Sequence, residues 1–514
     1  MNFGPRSAVA RSEPVLVAAL GAVQTLAFVH TAWWPLPLLT LALLVWRLNQ
    51  ATPRRAALLG SCYGTAWVAS GTWWLYISMH RYGELPAALA AAAVLALAAA
   101  LSLYLAAACA VYARWRRGRG SDALLFGALW LLAELARGVL FTGFPWLALG
   151  YSQVDGPFAA LAPWVGVYGI GAVAAVMAAG VVLPRGSRGR PGLLSAAGAV
   201  GAAVFGIVVL GSQLLNNFTR PAGEMSVALL QTNVAQDEKF SSQHLPETLA
   251  WVAQELMAAR ADLVVAPETA VPLLPAQLEE LAPGYWPQLL AHFSWPERAA
   301  LVGIPLGDLE TGYTNSVMGL SAAPIYRYDK AHLVPFGEFI PRGFRWFTEM
   351  MNIPLGDFNR GTLNPPSFAV RTQRVAPNIC YEDLFGEELA RRFIDASAAP
   401  TVFANISNIG WFGDTVAIPQ HLNISRMRAL EFQRPMLRAT NTGATAVIDH
   451  GGALIALLPP YTRGVLKARV LGRHGITPFA WWASRAGPSP LALAALSVVA
   501  VCVALSRRAR SAPA

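Results

Sequence analysis

Three ionisable residues stand just past β-type runs in the polar half of this chain: Glu268 in LVVAPETAVP, Lys330 in YRYDKAHLVPFGEFIP and Cys380 in VAPNICYEDLFG. A thiol is a nucleophile as its thiolate, and a carboxylate held partly desolvated at a strand end is a strong base for removing its proton. A compact ammonium suits an oxyanion that develops during attack on a carbonyl. Lysine is rare here, three residues against 36 arginines, so its retention at position 330 is informative. Cys380 lies between a strand and an expected helix, where backbone N–H groups and the helix N-terminus are expected to favour thiolate. Taken singly, a cysteine is more often a small buried hydrophobe, and a glutamate or lysine more often a solvated surface charge. Base, cation and thiol in three strand-end contexts of one segment point instead to acyl chemistry through a covalent intermediate.

The elements that must position them begin at Ser226. Short β-type runs (SVALLQTNV, ADLVVAPET, ALVGIPL, NSVMGL, RVAPNI, TVFANIS, MLRATN, ATAVIDH) alternate with helical stretches expected at 244–260, 385–394 and 420–433. The pattern predicts an α/β or α+β domain with a substantial sheet. Cys62, Cys109 and Cys502 lie in apolar runs, so Cys380 is expected to be a free thiol. There is no P-loop, no Gly-rich dinucleotide fingerprint and no His/Cys cluster at zinc spacing, so no metal or other cofactor is indicated.

The rest of the chain reads as membrane. Of 514 residues 55 % are hydrophobic and only 13 % charged, against about 25 % charged in ordinary soluble domains. Residues 14–47 are long enough for a hairpin of two spans, and apolar runs at 56–79, 86–113, 157–184, 191–214 and 487–506 each suffice for one. The stretch SDALLFGALWLLAELARGVLFTGFPW adds another, interrupted by Glu134 and Arg137. These are expected to form a bundle-facing pair or to lie near a substrate path. The sum is a multi-span α-helical membrane domain of eight transmembrane helices. Arginine clusters (Arg6 and Arg11, Arg54 and Arg55, RWRRGRGS, RGSRGR, RRAR) all fall on one side of it, so both termini are expected in the cytoplasm and residues 216–486 outside. No small-residue cleavage site follows the first apolar run, so residues 1–30 read as a span and not as a cleaved signal. The domain boundaries expected are 1–215, 216–486 and 487–514. The net charge of +10 is accounted for by these topology signals, which excludes nucleic acid as its partner.

APETAVP, YDKAHLVPFGEFIP and NICYED resemble the Glu, Lys and Cys motifs of the nitrilase (carbon-nitrogen hydrolase) superfamily, and the eight-span frame makes the whole chain similar to the bacterial apolipoprotein N-acyltransferase family. The resemblance implies an exported α-β-β-α sandwich with Glu268, Lys330 and Cys380 as a catalytic triad. Glu338 of PFGE and Glu382, next to Tyr381, match further active-site positions. SNIGWFGD and QHLNISRMRALEFQRPMLRATNTGATAVID are also family-like, and their Trp411, Asp414, His421, Arg426, Arg428, Glu431 and Arg434 are expected to be structural or to line the site. Phe240 stands where some relatives carry tryptophan; with Phe339, Trp346 and Trp411 it is expected to contact lipid. The activity implied is transfer of an acyl chain from a membrane phospholipid, by way of a cysteine thioester, to the α-amino group of a diacylated apolipoprotein. A monomer in the bacterial inner membrane, with its catalytic domain in the periplasm, is the form expected.

Three other readings use the same residues or frame. A membrane-tethered amidase has the same triad with water as acceptor. A transporter or channel with an exported sensor needs polar groups lining several spans, yet Glu134 and Arg137 are almost alone there. A scaffold protein tolerates loss of the Cys380 thiol.

Overall fold

A computed structural model describes residues 5–182, 206, 217–341, 343 and 358–511. The chain divides into two compact units, one made of Met1–Tyr76, Ala87–Asn217 and Ala486–Ala514, the other of Ile77–Pro86 and Phe218–Arg485.

In the first unit, five helical stretches among the described residues are long and apolar enough to cross a bilayer: Thr31–Leu48, Ala87–Trp115, Ser121–Thr142, Pro157–Val182 and Ser489–Ser511. Ser12–Phe28 is a shorter apolar stretch, and Pro53–Gly71 forms a further helix. The span expected at 191–214 lies outside the described residues except for residue 206. Glu134 and Arg137 are both buried on Ser121–Val139, 3.7 Å apart. A carboxylate oxygen of Glu134 also accepts from Leu149 N–H at 2.7 Å, and the Arg137 guanidinium lies 5.0 Å from the centre of the Trp67 ring. The pair is bundle-facing.

The second unit holds two six-stranded sheets. In chain order the strands are β1 (Thr219–Gln231), β2 (Leu263–Val265), β3 (Ala299–Asp308), β4 (Gly312–Leu320), β5 (Tyr326–Asp329), β6 (Phe368–Val370), β7 (Gln373–Ile379), β8 (Val402–Ser407), β9 (Met436–Thr440), β10 (Ala446–Ile448), β11 (Leu454–Leu457) and β12 (Gly464–Gly475). One sheet has the order β12-β1-β2-β3-β4-β5 and the other β11-β10-β9-β8-β7-β6. In each, three central strands run parallel (β1, β2, β3 and β7, β8, β9) and the flanking pairs are antiparallel.

Successive side chains along the central strands of the first sheet alternate between two apolar clusters. Val227, Leu229, Leu263, Val265 and Leu301 of the first sheet share one apolar cluster with Val375, Ile379, Val402, Ala404, Ile406 and Leu437 of the second. The intervening Ala228, Leu230, Val264, Ala300 and Val302 pack against Leu249, Val252 and Leu256 of helix Leu245–Ala258 and against Leu289 and Phe293 of Tyr285–Phe293. Strands buried on both faces read as unbroken apolar runs, which is why ALL and LVV carry no polar alternation. The expected helices are present as Leu245–Ala258, Ala417–Phe432, and the short Gly386–Leu389 followed by a 3₁₀ turn Ala390–Phe393.

Several of the family-like charges hold this unit together. Arg428 and Glu431 pair at 3.0 Å with neither side chain exposed. Arg434 donates to the carbonyls of Pro400 and Gly475, its guanidinium lying against Phe393. Arg426 donates to Gly452 O at 2.8 Å, whereas Asp414 is exposed. Removing one member of a buried pair strands the other, at a cost of about 3–5 kcal/mol. Arg428→Met is expected to lower the melting temperature in detergent by on the order of 10 °C, measured by intrinsic fluorescence; an unchanged melt contradicts this.

Candidate active site

The carboxyl ends of the parallel strands converge on one place, the position where α/β sheets bind ligands. Thr232 follows β1, Glu268 follows β2, Cys380 follows β7, Asn408 follows β8 and Asn441 follows β9. Lys330 follows β5 and is brought in by the β4–β5 pairing.

The Lys330 ammonium is 1 % exposed and lies 2.9 Å from Glu338 Oε1 and 3.7 Å from Glu268 Oε1. Asn315, on β4, bridges the two carboxylates: its Nδ2 donates to Glu268 Oε1 at 2.7 Å and to Glu338 Oε1 at 2.8 Å. The other Glu268 oxygen accepts from Asn408 N–H at 2.7 Å, and the other Glu338 oxygen from Val334 N–H at 2.8 Å. Every carboxylate oxygen is thus held, which aims both groups. Burial opposes the charge on Lys330, but Glu338 and Glu268 outweigh it and raise its pKa, so the ammonium stays charged through the physiological range. The fit is close: a Cβ at Gly303 on β3 would lie 2.3 Å from Pro267 O and 2.8 Å from Glu268 Cα.

Cys380 adopts φ +51°, a left-handed conformation that costs a non-glycine residue about 1–3 kcal/mol, at the sharp exit from β7. Beneath it, Asn405 Nδ2 donates to Cys380 O at 3.1 Å, and His421 Nε2 lies 3.3 Å from the same oxygen. His421 is anchored in turn by Asp383, which also meets Ser425 and Arg438. Although burial opposes it, the charge on Asp383 is held by His421 and Arg438, which lower its pKa.

The expectation that a helix N-terminus favours thiolate at Cys380 does not hold in the structure. Cys380 opens a 3₁₀ turn, Cys380–Leu384, and not a helix long enough to develop a dipole. Burial, with Glu268, Glu338 and Asp383 nearby, pushes the thiol up, and Lys330 only partly opposes this. The resting sulfur is a neutral thiol.

Glu382 does not face the thiol. It accepts from Tyr328 OH at 2.5 Å, Ile379 N–H at 2.7 Å, Ala331 N–H at 2.7 Å and His332 N–H at 3.1 Å. One carboxylate therefore ties the Cys380 turn to the segment that carries Lys330. Tyr381 is buried, its ring against Phe385 and near His332. Phe240 is exposed, and Phe339 is half-buried beneath the Arg360 guanidinium. Trp411 is exposed at one edge and packs edge-on against Tyr82, 5.5 Å between ring centres. Tyr82 belongs to Ile77–Pro86, which also pairs Arg81 with Asp237 at 2.9 Å. Trp346 lies outside the described residues. Among the described residues no cluster of three metal-ligating side chains occurs.

Asn315, Asn408, Asn441 and Lys239 also belong to the site and are not among the residues expected from the sequence. The amides leave no local signal, because each acts on a residue remote in sequence. Lys239 could have been found, as one of only three lysines.

Comparison with known proteins finds matches along nearly the whole chain. The family described as apolipoprotein N-acyltransferase N-terminal domain matches residues 20–180, and carbon-nitrogen hydrolase matches residues 226–471. A relative from Verminephrobacter eiseniae is 55 % identical over 92 % of this chain and 92 % of its own. This chain belongs to the apolipoprotein N-acyltransferase family. A second member, from Ralstonia nicotianae, is 47 % identical over 97 % of this chain and 94 % of its own, and one from Bordetella bronchiseptica 40 % identical over 97 % and 98 %.

Because the thiol is held neutral, alkylation of Cys380 by iodoacetamide is expected to be slow at pH 7 and to keep rising beyond the ordinary thiol range near pH 8.5. Lys330→Met removes the cation that opposes this, and is expected to slow alkylation at pH 8 by more than about tenfold. Peptide mass mapping measures both, and rapid alkylation of the native protein at pH 7 contradicts the assignment.

Proposed function

We propose that this protein transfers an acyl chain from a membrane phospholipid, through a thioester on Cys380, to the α-amino group of the N-terminal S-diacylglyceryl-cysteine of exported apolipoproteins. Two observations meet in this reading: near full-length similarity to relatives named apolipoprotein N-acyltransferase, and a carboxylate, an ammonium and a thiol at converging strand ends.

The reaction runs in two halves. Glu268 takes the proton from Cys380 Sγ, and the sulfur attacks the donor ester carbonyl. Lys330 meets the oxyanion of the tetrahedral intermediate, its charge already fixed by Glu338. The ester C–O bond breaks, Glu268 returns its proton to the leaving oxygen, and a lysophospholipid departs. The acceptor amine then attacks the thioester, Glu268 takes a proton from the amine nitrogen, the C–S bond breaks, and the thiolate regains that proton as the amide leaves. Asn315 keeps Glu268 and Glu338 in register throughout, and Glu382 holds the cysteine turn against the Lys330 segment. The protons balance without a metal or redox partner.

The remaining sequence expectations belong to this same reading: eight spans, domains at 1–215, 216–486 and 487–514, the middle one a four-layer α-β-β-α sandwich, and a monomeric enzyme. The one-sided arginine clusters support termini in the cytoplasm and a periplasmic catalytic domain. Both substrates carry acyl chains, so a membrane-anchored enzyme meets them without extracting either from lipid. Phe240, Phe339 and Trp411 supply aromatic surface for those chains. Water as final acceptor, the amidase alternative, leaves this membrane frame without a purpose.

Mass spectrometry of the purified protein incubated with phospholipid tests the proposal. An acyl mass on Cys380 is expected, removable by hydroxylamine and discharged by a diacylated lipopeptide amine, and absent from Cys380→Ala. Glu268→Gln is expected to slow its formation by about 10²- to 10⁴-fold. Discharge by water alone, with no amide formed, overturns the assignment of acceptor.

A further inference from the structure

Lys239 takes no part in the steps above, yet it is buried, 5 % exposed, beside the same site. The segment that carries it leaves β1 and is clamped by the other strand ends. Asn441 Oδ1 accepts from Thr232 Oγ1 at 2.7 Å and from Val234 N–H at 2.9 Å, while Asn441 Nδ2 returns a bond to Val234 O at 2.8 Å. Asn408 Nδ2 donates to Gln236 Oε1 at 2.8 Å. So fixed, Lys239 donates from Nζ to the backbone carbonyl of Glu268 at 3.0 Å. Among the described residues that is its one hydrogen bond, and no carboxylate pairs with it. A fixed, buried ammonium without a paired carboxylate is costly, so something else in the site must use the charge.

The charged and titratable groups facing Lys239 are Glu268 and Cys380. Those facing Cys380 are Glu268, Glu338, Asp383, Lys330, Arg438 and Lys239 itself. Asp383 is already balanced by Arg438 and His421 beneath the turn. Above it, Glu268 and Glu338 carry two negative charges against the single positive charge of Lys330. Lys239 brings that set to neutrality, and neutrality is kept when a proton moves from Cys380 Sγ to Glu268: an S–H bond breaks, an O–H bond forms, and the negative charge passes from oxygen to sulfur.

We infer that Lys239 is a positioning residue of the acyl-transfer reaction, whose ammonium fixes the Glu268 strand end and offsets the charge that appears on Cys380 when the thiol ionises. This rests on the proposed role of Cys380 as nucleophile. Burial lowers the pKa of Lys239 to about 8, opposed by Glu268 and Cys380, so its charge is present at pH 7 and lost in mild alkali. Its help to the thiol is therefore lost over the same range.

Iodoacetamide alkylation of Cys380, followed by peptide mass mapping from pH 7 to pH 10, tests this independently of donor and acceptor; failure to find an acyl mass on the native enzyme would instead count against the proposed function. At pH 7 Lys239→Gln is expected to alkylate about tenfold more slowly, equivalent to about one pK unit on the thiol. The gap is expected to close above about pH 9, where the native lysine has also lost its charge. Lys239→Arg, charged throughout, is expected to keep the native rate at pH 7 and to exceed it in alkali. A constant gap at every pH, no gap at all, or Lys239→Arg behaving like Lys239→Gln overturns the inference. Should Lys239→Gln fail to fold, Lys239→Arg alone decides: its rate must outrun the native rate in alkali, and parallel profiles overturn the inference.

Discussion

An ammonium buried to 1 % exposure between two carboxylates is the constraint on which this site depends. Lys330 survives burial because Glu338 binds it directly and Glu268 lies within reach, and those carboxylates survive because Asn315, Asn408 and Val334 saturate their oxygens. Remove any member and a charge or a donor is left without a partner in a desolvated setting, where each such loss costs about 1–3 kcal/mol or more. The same balance explains why the thiol rests neutral. A site already carrying two carboxylates resists a third negative charge, and in the proposed reaction the thiol ionises only as its proton passes to Glu268.

The fold makes this arrangement through its two sheets. Parallel strands are buried on both faces, and the ends of β1, β2, β7, β8 and β9 each release the chain into a segment that carries a polar side chain into the site. The left-handed Cys380 turn and the close approach at Gly303 are local costs carried by that packing. Beneath Cys380, Asp383, His421, Ser425 and Arg438 form a buried polar support, so the cysteine turn is fixed from below by one network and from the side by Glu382.

Much of this was legible in the sequence, for a physical reason. Apolar runs announce strands buried on both faces, and a polar residue soon after such a run is at a strand end, which locates Glu268 and Cys380; Lys330 follows the polar β5 and was legible through its motif instead. The short β5, β6 and β11 and the largely polar β12 were not legible, because flanking strands lack the apolar signature of the central ones. Neither was the role of Glu382, which reads as a site acid but acts as an acceptor for backbone donors from two segments. The expected helix dipole at Cys380 failed because a 3₁₀ turn interrupts the chain before the helix begins. Asn315 was invisible, since its two partners come together only through the β3–β4–β5 pairing.

The central claim, that Lys330 and Glu338 act as one unit, is tested most directly by a double-mutant cycle on the rate of acyl-enzyme formation. If Glu338 works only by holding the ammonium, Lys330→Met with Glu338→Gln is predicted to be no slower than Lys330→Met alone, giving a large coupling energy. Effects that simply add would show the two residues acting independently, and would contradict the account.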